Sequence, residues 1–162
     1  MPRSFYIISS AALLFQLTIF VTQPIFTLYI LNFGVSALQL GFILFIQSFL
    51  MIILRIPLTL VAQKIGETRM IYIAFIVLST SQVLYAVAPN PTWLYLIPFY
   101  QIIATGSFFQ LATSIVSNMA PQTRQGYALG RYMTLMSMGM FIGPFVCSGL
   151  LTYIGYTELF LV

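Results

Sequence analysis

A few polar side chains interrupt long apolar stretches of this sequence, and they are the residues best suited to recognising a small molecule. Gln16 and Gln23 are seven residues apart, and Gln101 and Thr105 are four apart. If these segments are helical, each pair therefore lies on one helix face. Amides and hydroxyls donate and accept hydrogen bonds without carrying a charge. In an apolar helix they either bond to a neighbouring helix or contact a bound solute, and the spacing leaves both interpretations open.

The residue combinations that catalyse reactions or hold metals are missing from this sequence. It has no histidine, one cysteine (Cys147) and only two acidic residues, Glu67 and Glu158. The patterns of zinc proteases, phosphate-binding loops and serine hydrolases do not occur. We therefore predict that the chain is not an enzyme and uses neither a cofactor nor a metal. Because neither acidic residue lies inside a long apolar stretch, we also predict no intramembrane proton carrier in this part.

The composition predicts that these polar residues lie in a membrane. Hydrophobic residues make up 60% of the 162 residues and charged residues only 5%, against roughly 25% charged in typical soluble domains. So few charges cannot cover a water-facing surface, whereas helices surrounded by lipid need few. The net charge of +4 comes from scattered basic residues rather than from a cluster, so we predict no binding of nucleic acid.

Three charge-free intervals set the number of membrane-spanning helices. They cover residues 4–54, 70–123 and 132–157. Since one span needs about 20 apolar residues, the intervals have room for two, two and one helices. Turn-forming residues divide the first interval near Gly34 and the second near Pro89. We predict an all-α membrane protein without a soluble domain, with spans at about residues 6–30, 38–60, 70–88, 93–117 and 131–154.

The last residues of the chain read as the opening of a sixth apolar helix. They follow a turn at Gly155 and begin with Glu158. We therefore expect the chain to be truncated near the start of that helix. Tyrosines and the single tryptophan agree with the predicted boundaries. Most of them, Tyr85 and Trp93 included, fall near helix ends, where rings with a polar tip settle at the membrane surface.

The basic residues predict the orientation of the helices. They are Arg3, Arg55, Lys64, Arg69, Arg124 and Arg131. If the amino terminus is cytoplasmic, five of them fall in cytoplasmic segments, and Arg55 lies near the inner end of span two. The outer loops then carry none, as expected from the enrichment of positive charge on the cytoplasmic side. We expect a multi-pass protein of the cell membrane with a cytoplasmic amino terminus.

The segment between spans two and three carries Lys64, Gly66 and Arg69 in a recognisable order. It resembles the signature loop of the major facilitator superfamily of transporters, which joins the second and third helices. Thr59 stands where the first glycine of that loop would be, and Gln63 where its aspartate would be. In the family this aspartate anchors a charged network at the cytoplasmic gate. The resemblance implies a gating loop whose network lacks the usual carboxylate.

A second match covers residues 120–130, where Arg124 is followed by Gly126 and Gly130. It resembles the loop before helix five in many facilitators. The resemblance assigns Arg124 to the gating loops at the cytoplasmic side. The two glycines are four residues apart, so we expect them to let two backbones approach closely.

A third match lies in span five, where Gly139 and Gly143 are followed by Pro144. It resembles the helix-five motif of the drug–proton antiporter branch of the family. The two glycines share a helix face and predict a close contact with a neighbouring helix, and the proline permits a bend. Glycines at this spacing also occur in ordinary helix packing.

The resemblance covers essentially the whole chain and implies a function. Facilitators move small solutes by alternating access between two six-helix halves. Their first and fourth helices line the central cavity, which makes Gln16, Gln23, Gln101 and Thr105 candidate substrate residues. The expected partners are the lipid bilayer, a small-molecule substrate and the missing carboxy-terminal half. The helix-five motif favours drug or metabolite efflux. The alternative is a multi-helix scaffold or assembly subunit that does not transport.

Overall fold

Five long helices make up the chain in the computed structural model, which describes residues 3–32, 34–88, 91–153 and 160. They are α1 (Arg3–Asn32), α2 (Ala37–Ile65), α3 (Glu67–Val87), α4 (Pro91–Met119) and α5 (Gln125–Leu151). A short 3-10 turn, Gln122–Arg124, precedes α5. Each long helix is apolar and long enough to cross a bilayer. The predicted all-α membrane architecture is confirmed, whereas the predicted start of a sixth helix lies mostly outside the described residues.

Helix α2 continues past the predicted end of its span and stops at a glycine. The prediction ended the span at about residue 60, but residues 61–65, which include Gln63 and Lys64, extend the helix by more than a turn. Gly66 then ends it with φ +98°, and its N–H donates to the carbonyl of Ala62 at 2.9 Å. Side chains other than hydrogen are strained in this left-handed region. Gly66 therefore fixes the sharp connection between α2 and α3.

The start of α2 is held by a reciprocal cap. The Ser36 hydroxyl accepts a hydrogen bond from the backbone N–H of Gln39 at 3.3 Å, and the Gln39 side chain accepts one from the Ser36 N–H at 3.0 Å. This arrangement satisfies two backbone donors that an open helix end leaves without partners. It fixes where the chain turns back into the membrane after α1.

Helix α4 has the largest buried share of the five helices, and it contacts all the others. Helix α1 packs mainly against α5, while α4 packs against both α2 and α3. Between them the rings of Phe15 and Phe108 are stacked with centroids 4.0 Å apart, and Phe75 meets both rings edge-on. Because lipid tails are as apolar as these rings, close packing rather than removal from water holds the helices together.

Helices α2 and α5 each leave an apolar side uncovered in this assembly. Phe42 and Phe49 on α2 and Phe141 and Phe145 on α5 are all exposed. In a membrane such side chains can contact lipid or further helices. The five helices therefore form a bundle with a packed interior and two outer helices available for more contacts.

The helix ends that carry basic residues lie together. The Arg131 guanidinium, near the start of α5, lies 5.6 Å from the ring centre of Tyr6, near the start of α1. The Ser114 hydroxyl, near the end of α4, donates to Glu67 at the start of α3 at 3.2 Å. We call this end of the bundle the basic end. It carries Arg3, Lys64, Arg69, Arg124 and Arg131.

Candidate functional site

A small polar cavity between α1, α2 and α4 brings together three of the four predicted substrate residues. Gln23, Gln101 and Thr105 all line it, and its volume is about 110 Å³. We call it the α1–α4 cavity. Its remaining polar lining comes from Thr22, Gln47 and Tyr85. Sites that enclose drug-sized ligands hold about 300–1,000 Å³, so this cavity alone is too small for such a molecule.

Hydrogen bonds within the α1–α4 cavity orient its central amide. The Tyr85 hydroxyl donates to Oε1 of Gln101 at 3.5 Å, and the Thr105 hydroxyl donates to the Gln101 backbone carbonyl at 3.3 Å. The NH₂ group of Gln101 has no hydrogen-bond partner among the described residues. The Thr22 hydroxyl donates within its own helix, to the carbonyl of Thr18 at 2.9 Å. The site therefore offers an amide donor and hydroxyl acceptors to a solute.

Tyr85 is a member of this site that the sequence does not reveal. Its position near the end of α3 fits a ring at the membrane surface, but only 3% of it is exposed. Its ring lies 5.4 Å from that of Phe26, and its hydroxyl reaches Gln101 on the neighbouring helix. Whether Tyr85 lines the cavity or lies at the membrane surface depends only on how α3 packs against α1 and α4. The sequence therefore holds no signal for its place in the cavity.

Gln16 lies away from the other three predicted residues. Gln16 does not line the α1–α4 cavity and instead faces α5. A Cβ placed on Gly139 would lie 3.1 Å from the Cβ of Gln16. Gln16 is 5% exposed, and its Oε1 has no hydrogen-bond partner among the described residues. Helix α5 crosses α1 near residues 13–20. Gln16 therefore meets α5, whereas Gln23, seven residues later on the same face, lies beyond the crossing and lines the cavity.

The helix-five glycines lie directly against the backbone of α1. A Cβ placed on Gly139 would lie 2.7 Å from the carbonyl oxygen of Leu13, and one placed on Gly143 would lie 2.7 Å from Cβ of Phe20. Real Cβ atoms do not approach other atoms this closely. The absence of a side chain at both positions is therefore required by the contact. The next residue, Pro144, is exposed, and α5 continues through it.

The close approach expected at Gly126 and Gly130 is wrong for the part of the chain that the structure describes. Both glycines are exposed, and no atom lies within 4 Å of a Cβ placed on either one. They belong to the first turns of α5, at the basic end. Within the described part of the chain, no neighbouring backbone covers them there.

The predicted gating-loop residues lie at the basic end with their charged groups exposed. Lys64, Arg69 and Arg124 are all exposed, and no ion pair involves them among the described residues. The carboxylate of this loop is Glu67, which is partly buried and accepts the hydrogen bond from Ser114. It lies four positions after Gln63, which stands in place of the expected aspartate. Glu67 is the acidic residue nearest to Gln63 in the sequence, and this proximity is the sequence signal for its place in the loop.

A wider opening lies at the basic end between α2, α4 and α5. Its volume is about 530 Å³, and its lining includes Arg55, Gln63 and Glu67. We call it the basic-end crevice. Across it, the Thr59 hydroxyl donates to Oε1 of Gln110 at 2.7 Å, which joins α2 to α4. An adjoining opening of about 390 Å³ shares Arg55, Thr59 and Gln110.

The chemistry available in these openings is hydrogen bonding and charge. Among residues 3–32, 34–88, 91–153 and 160, no three His, Cys, Asp or Glu side chains lie close enough together to hold a metal ion. The openings instead present amides, hydroxyls, the Arg55 guanidinium and the Glu67 carboxylate. Such groups bind and orient a solute without changing its covalent structure.

Comparison with known proteins gives a family match over almost the whole chain. Residues 8–162 match the model of the Major Facilitator Superfamily (MFS). An uncharacterized MFS-type transporter of Methanocaldococcus jannaschii is 30% identical over 118 residues, which are 72% of this chain and 30% of that protein.

Two further relatives carry names that mention efflux. A multi-drug resistance efflux pump PmrA homolog of Lactococcus lactis is 31% identical over 101 residues, covering 62% of this chain and 25% of that protein. A probable sugar efflux transporter of Helicobacter pylori is 26% identical over 139 residues, covering 85% of this chain and 35% of that protein. The matched region thus spans about a third or less of these relatives.

Proposed function

Because the chain belongs to the major facilitator superfamily and is a multi-pass membrane protein, we propose that it forms most of the first half of a secondary transporter for small organic solutes. Transport proceeds by alternating access, in which two related halves rock about a central site. The second half is a further segment of a longer protein, since the chain spans only 25–35% of the relatives described above. The family membership points to a transporter rather than to an enzyme.

The α1–α4 cavity is the observation that carries this proposal. Three polar residues on two different helices, Gln23, Gln101 and Thr105, converge on one space inside an apolar bundle. Polar groups within membrane helices are costly and mark solute paths when they line a cavity. The volume of about 110 Å³ suits one wall of a site that a second half completes.

Two contacts away from this cavity hold the helices of this half together in the proposed cycle. The α1–α5 contact at Gly139 and Gly143 brings two backbones close together, so small shifts between these helices are resisted. At the basic end, Glu67 and Ser114 join α3 to α4 beside the exposed Lys64. In our proposal the basic end is the cytoplasmic gate, because positive charge concentrates on the cytoplasmic side. The amino terminus is then also cytoplasmic, in the cell membrane.

Efflux is the proposed direction of transport. The names of the Lactococcus lactis and Helicobacter pylori relatives mention efflux of drugs and of sugars. The α1–α4 cavity combines amides with apolar neighbours such as Phe26 and Leu44, a lining that suits a solute with both polar and apolar parts. We therefore propose export of a small organic molecule through a path lined by α1 and α4.

Transport by the full-length protein in liposomes tests the proposal. The probes are ethidium, glucose and glucuronate, each measured against empty liposomes. For a probe that is transported, Gln101→Ala should weaken apparent affinity about fivefold, because one buried hydrogen bond contributes about 1 kcal/mol. Gln122→Ala is the matched control, since this exposed glutamine lies on the 3-10 turn outside the cavity.

Two results would count against this function. If the wild-type protein moves none of the three probes, the protein behaves as the scaffold or assembly subunit that the sequence left open. If a probe is transported and Gln101→Ala matches Gln122→Ala, the solute path does not run through the α1–α4 cavity.

A further inference from the structure

Arg55 lies inside α2, which is long and apolar enough to cross a membrane. It precedes the last residue of α2, Ile65, by about 15 Å of helix, which is almost three turns. The charge therefore lies within the body of this helix and not in its last turn.

No described residue neutralises this charge. Arg55 has no ion pair and no side-chain hydrogen bond within the described ranges, where Glu67 is the acidic residue. Glu67 bonds to Ser114 at the basic end instead. The Arg55 side chain is exposed and lines two openings of the bundle. Arginines within membrane-spanning helices are rare, and they line ion or solute paths or pair with another charge.

The immediate surroundings of Arg55 offer hydrogen-bond donors. Gln110 of α4 lines the same two openings as Arg55, and its Oε1 is occupied by the Thr59 hydroxyl. This leaves the Gln110 NH₂ group as a donor beside the five N–H donors of the guanidinium. A planar guanidinium binds carboxylate and phosphate groups through two parallel hydrogen bonds. A group that only accepts, such as an oxyanion, complements these two donors, while the Glu67 carboxylate in the same crevice accepts its hydrogen bond from Ser114.

We propose that Arg55 and Gln110 bind the oxyanion of the transported solute, a carboxylate, phosphate or sulfonate group, in the basic-end crevice. This inference rests on the transport function proposed above and adds the chemical class of the solute. The crevice volume of about 530 Å³ is in the range of small-molecule sites. Lys64, Arg69 and Arg124 are exposed at the same basic end, so positive charge prevails there and raises the local concentration of anions.

Thermal unfolding of the purified full-length protein in a neutral detergent tests this assignment. The probes are pairs of similar shape that differ in charge: glucuronate and glucose, benzoate and benzamide, and benzenesulfonate and benzenesulfonamide. Ionic strength is held constant. At least one anion should raise the Tm of the wild-type protein at concentrations where its neutral twin does not. This comparison needs no variant.

Two substitutions and one control then locate the anion. Arg55→Gln should weaken the apparent affinity for the stabilising anion about tenfold to a hundredfold, as expected for a charge-assisted hydrogen bond. Arg55→Lys keeps the positive charge but cannot form two parallel hydrogen bonds to the anion. The affinity of this variant for the anion should therefore lie between those of the wild-type protein and Arg55→Gln. Arg3→Gln removes the same charge from the start of α1, outside the crevice, and should leave the affinity unchanged.

Several results would overturn the assignment. Equal shifts by anions and their neutral twins would do so, as would an anion shift that persists in Arg55→Gln. If phosphatidylglycerol stabilises the protein and none of the soluble anions does, the group bound is a lipid headgroup. If no anion stabilises the wild-type protein and Arg55→Gln lowers its Tm without solute, Arg55 pairs with a carboxylate elsewhere in the longer protein. Transport of glucose or ethidium in liposomes would still support the general function in each case.

Discussion

Replacing Gly143 with alanine should disrupt the contact between α1 and α5. The added Cβ would lie 2.7 Å from Cβ of Phe20 and 2.8 Å from its backbone carbonyl carbon. Ordinary contacts between carbon atoms are about 3.5–4.0 Å, so the helices must separate by close to 1 Å or the backbone must distort. A backbone atom cannot rotate away as a flexible side chain can. Overpacking of this kind costs about 1–3 kcal/mol.

That cost is large compared with the differences between transporter conformations. Two states that differ by a few kcal/mol change their relative populations about 5- to 150-fold when one of them loses 1–3 kcal/mol. If the α1–α5 contact is tighter in one state of the cycle, Gly143→Ala shifts the protein toward the other state. We therefore expect a lower Tm and slower transport in the full-length protein, with expression largely retained.

A matched glycine in the same helix provides the control. Gly149 is exposed, and a Cβ placed on it would have no neighbour within 4 Å, so Gly149→Ala adds the same atom to open space. Its Tm and transport rate should equal those of the wild-type protein or slightly exceed them, since alanine is the better helix former. The reasoning fails if Gly143→Ala has the Tm and rate of Gly149→Ala.

Two further predictions concern the connection at the basic end and the orientation of the chain. Gly66→Ala should destabilise the protein by about 1–2 kcal/mol because φ is +98° there; Gly41→Ala, in the body of α2, should be neutral or stabilising when the two Tm values are compared. In a Cys147→Ala background, single cysteines at Thr68 and Thr92 should react with a membrane-impermeant thiol reagent from opposite sides. Labelling of position 68 from outside intact cells would reverse the proposed topology.

The number and approximate position of the helices follow from the sequence because hydropathy and charge act over whole segments. The exact helix ends do not, because they depend on backbone conformation. Helix α2 continues through Gln63 and Lys64 as far as Ile65, and the positive φ of Gly66 then ends it. The length of an apolar segment indicates which residues lie in the membrane. The end of a helix is instead set by the residue at which the backbone hydrogen bonds of the helix stop.

Residue spacing predicted which positions share a helix face but not what lies opposite that face. Gly126 and Gly130 have the same spacing as Gly139 and Gly143, yet only the second pair has α1 against it. Gln16 and Gln23 also share a face by spacing and meet different neighbours. Contacts between helices depend on their crossing points, and these are set by the packing of the whole bundle. For the same reason the sequence could not separate Gln16 from the α1–α4 cavity.

The two sides of the contact between α1 and α5 are synthesised at different times. Leu13 and Phe20 leave the ribosome more than a hundred residues before Gly139 and Gly143, which complete their packing. At a synthesis rate of about 5–20 residues per second, roughly 6–25 seconds pass between the synthesis of these α1 residues and that of their α5 partners. During that interval the buried face of α1, Gln16 included, is open to lipid, to the insertion machinery or to the wrong helix. Slowed translation between α4 and α5 would lengthen this exposure and lower the yield of assembled protein.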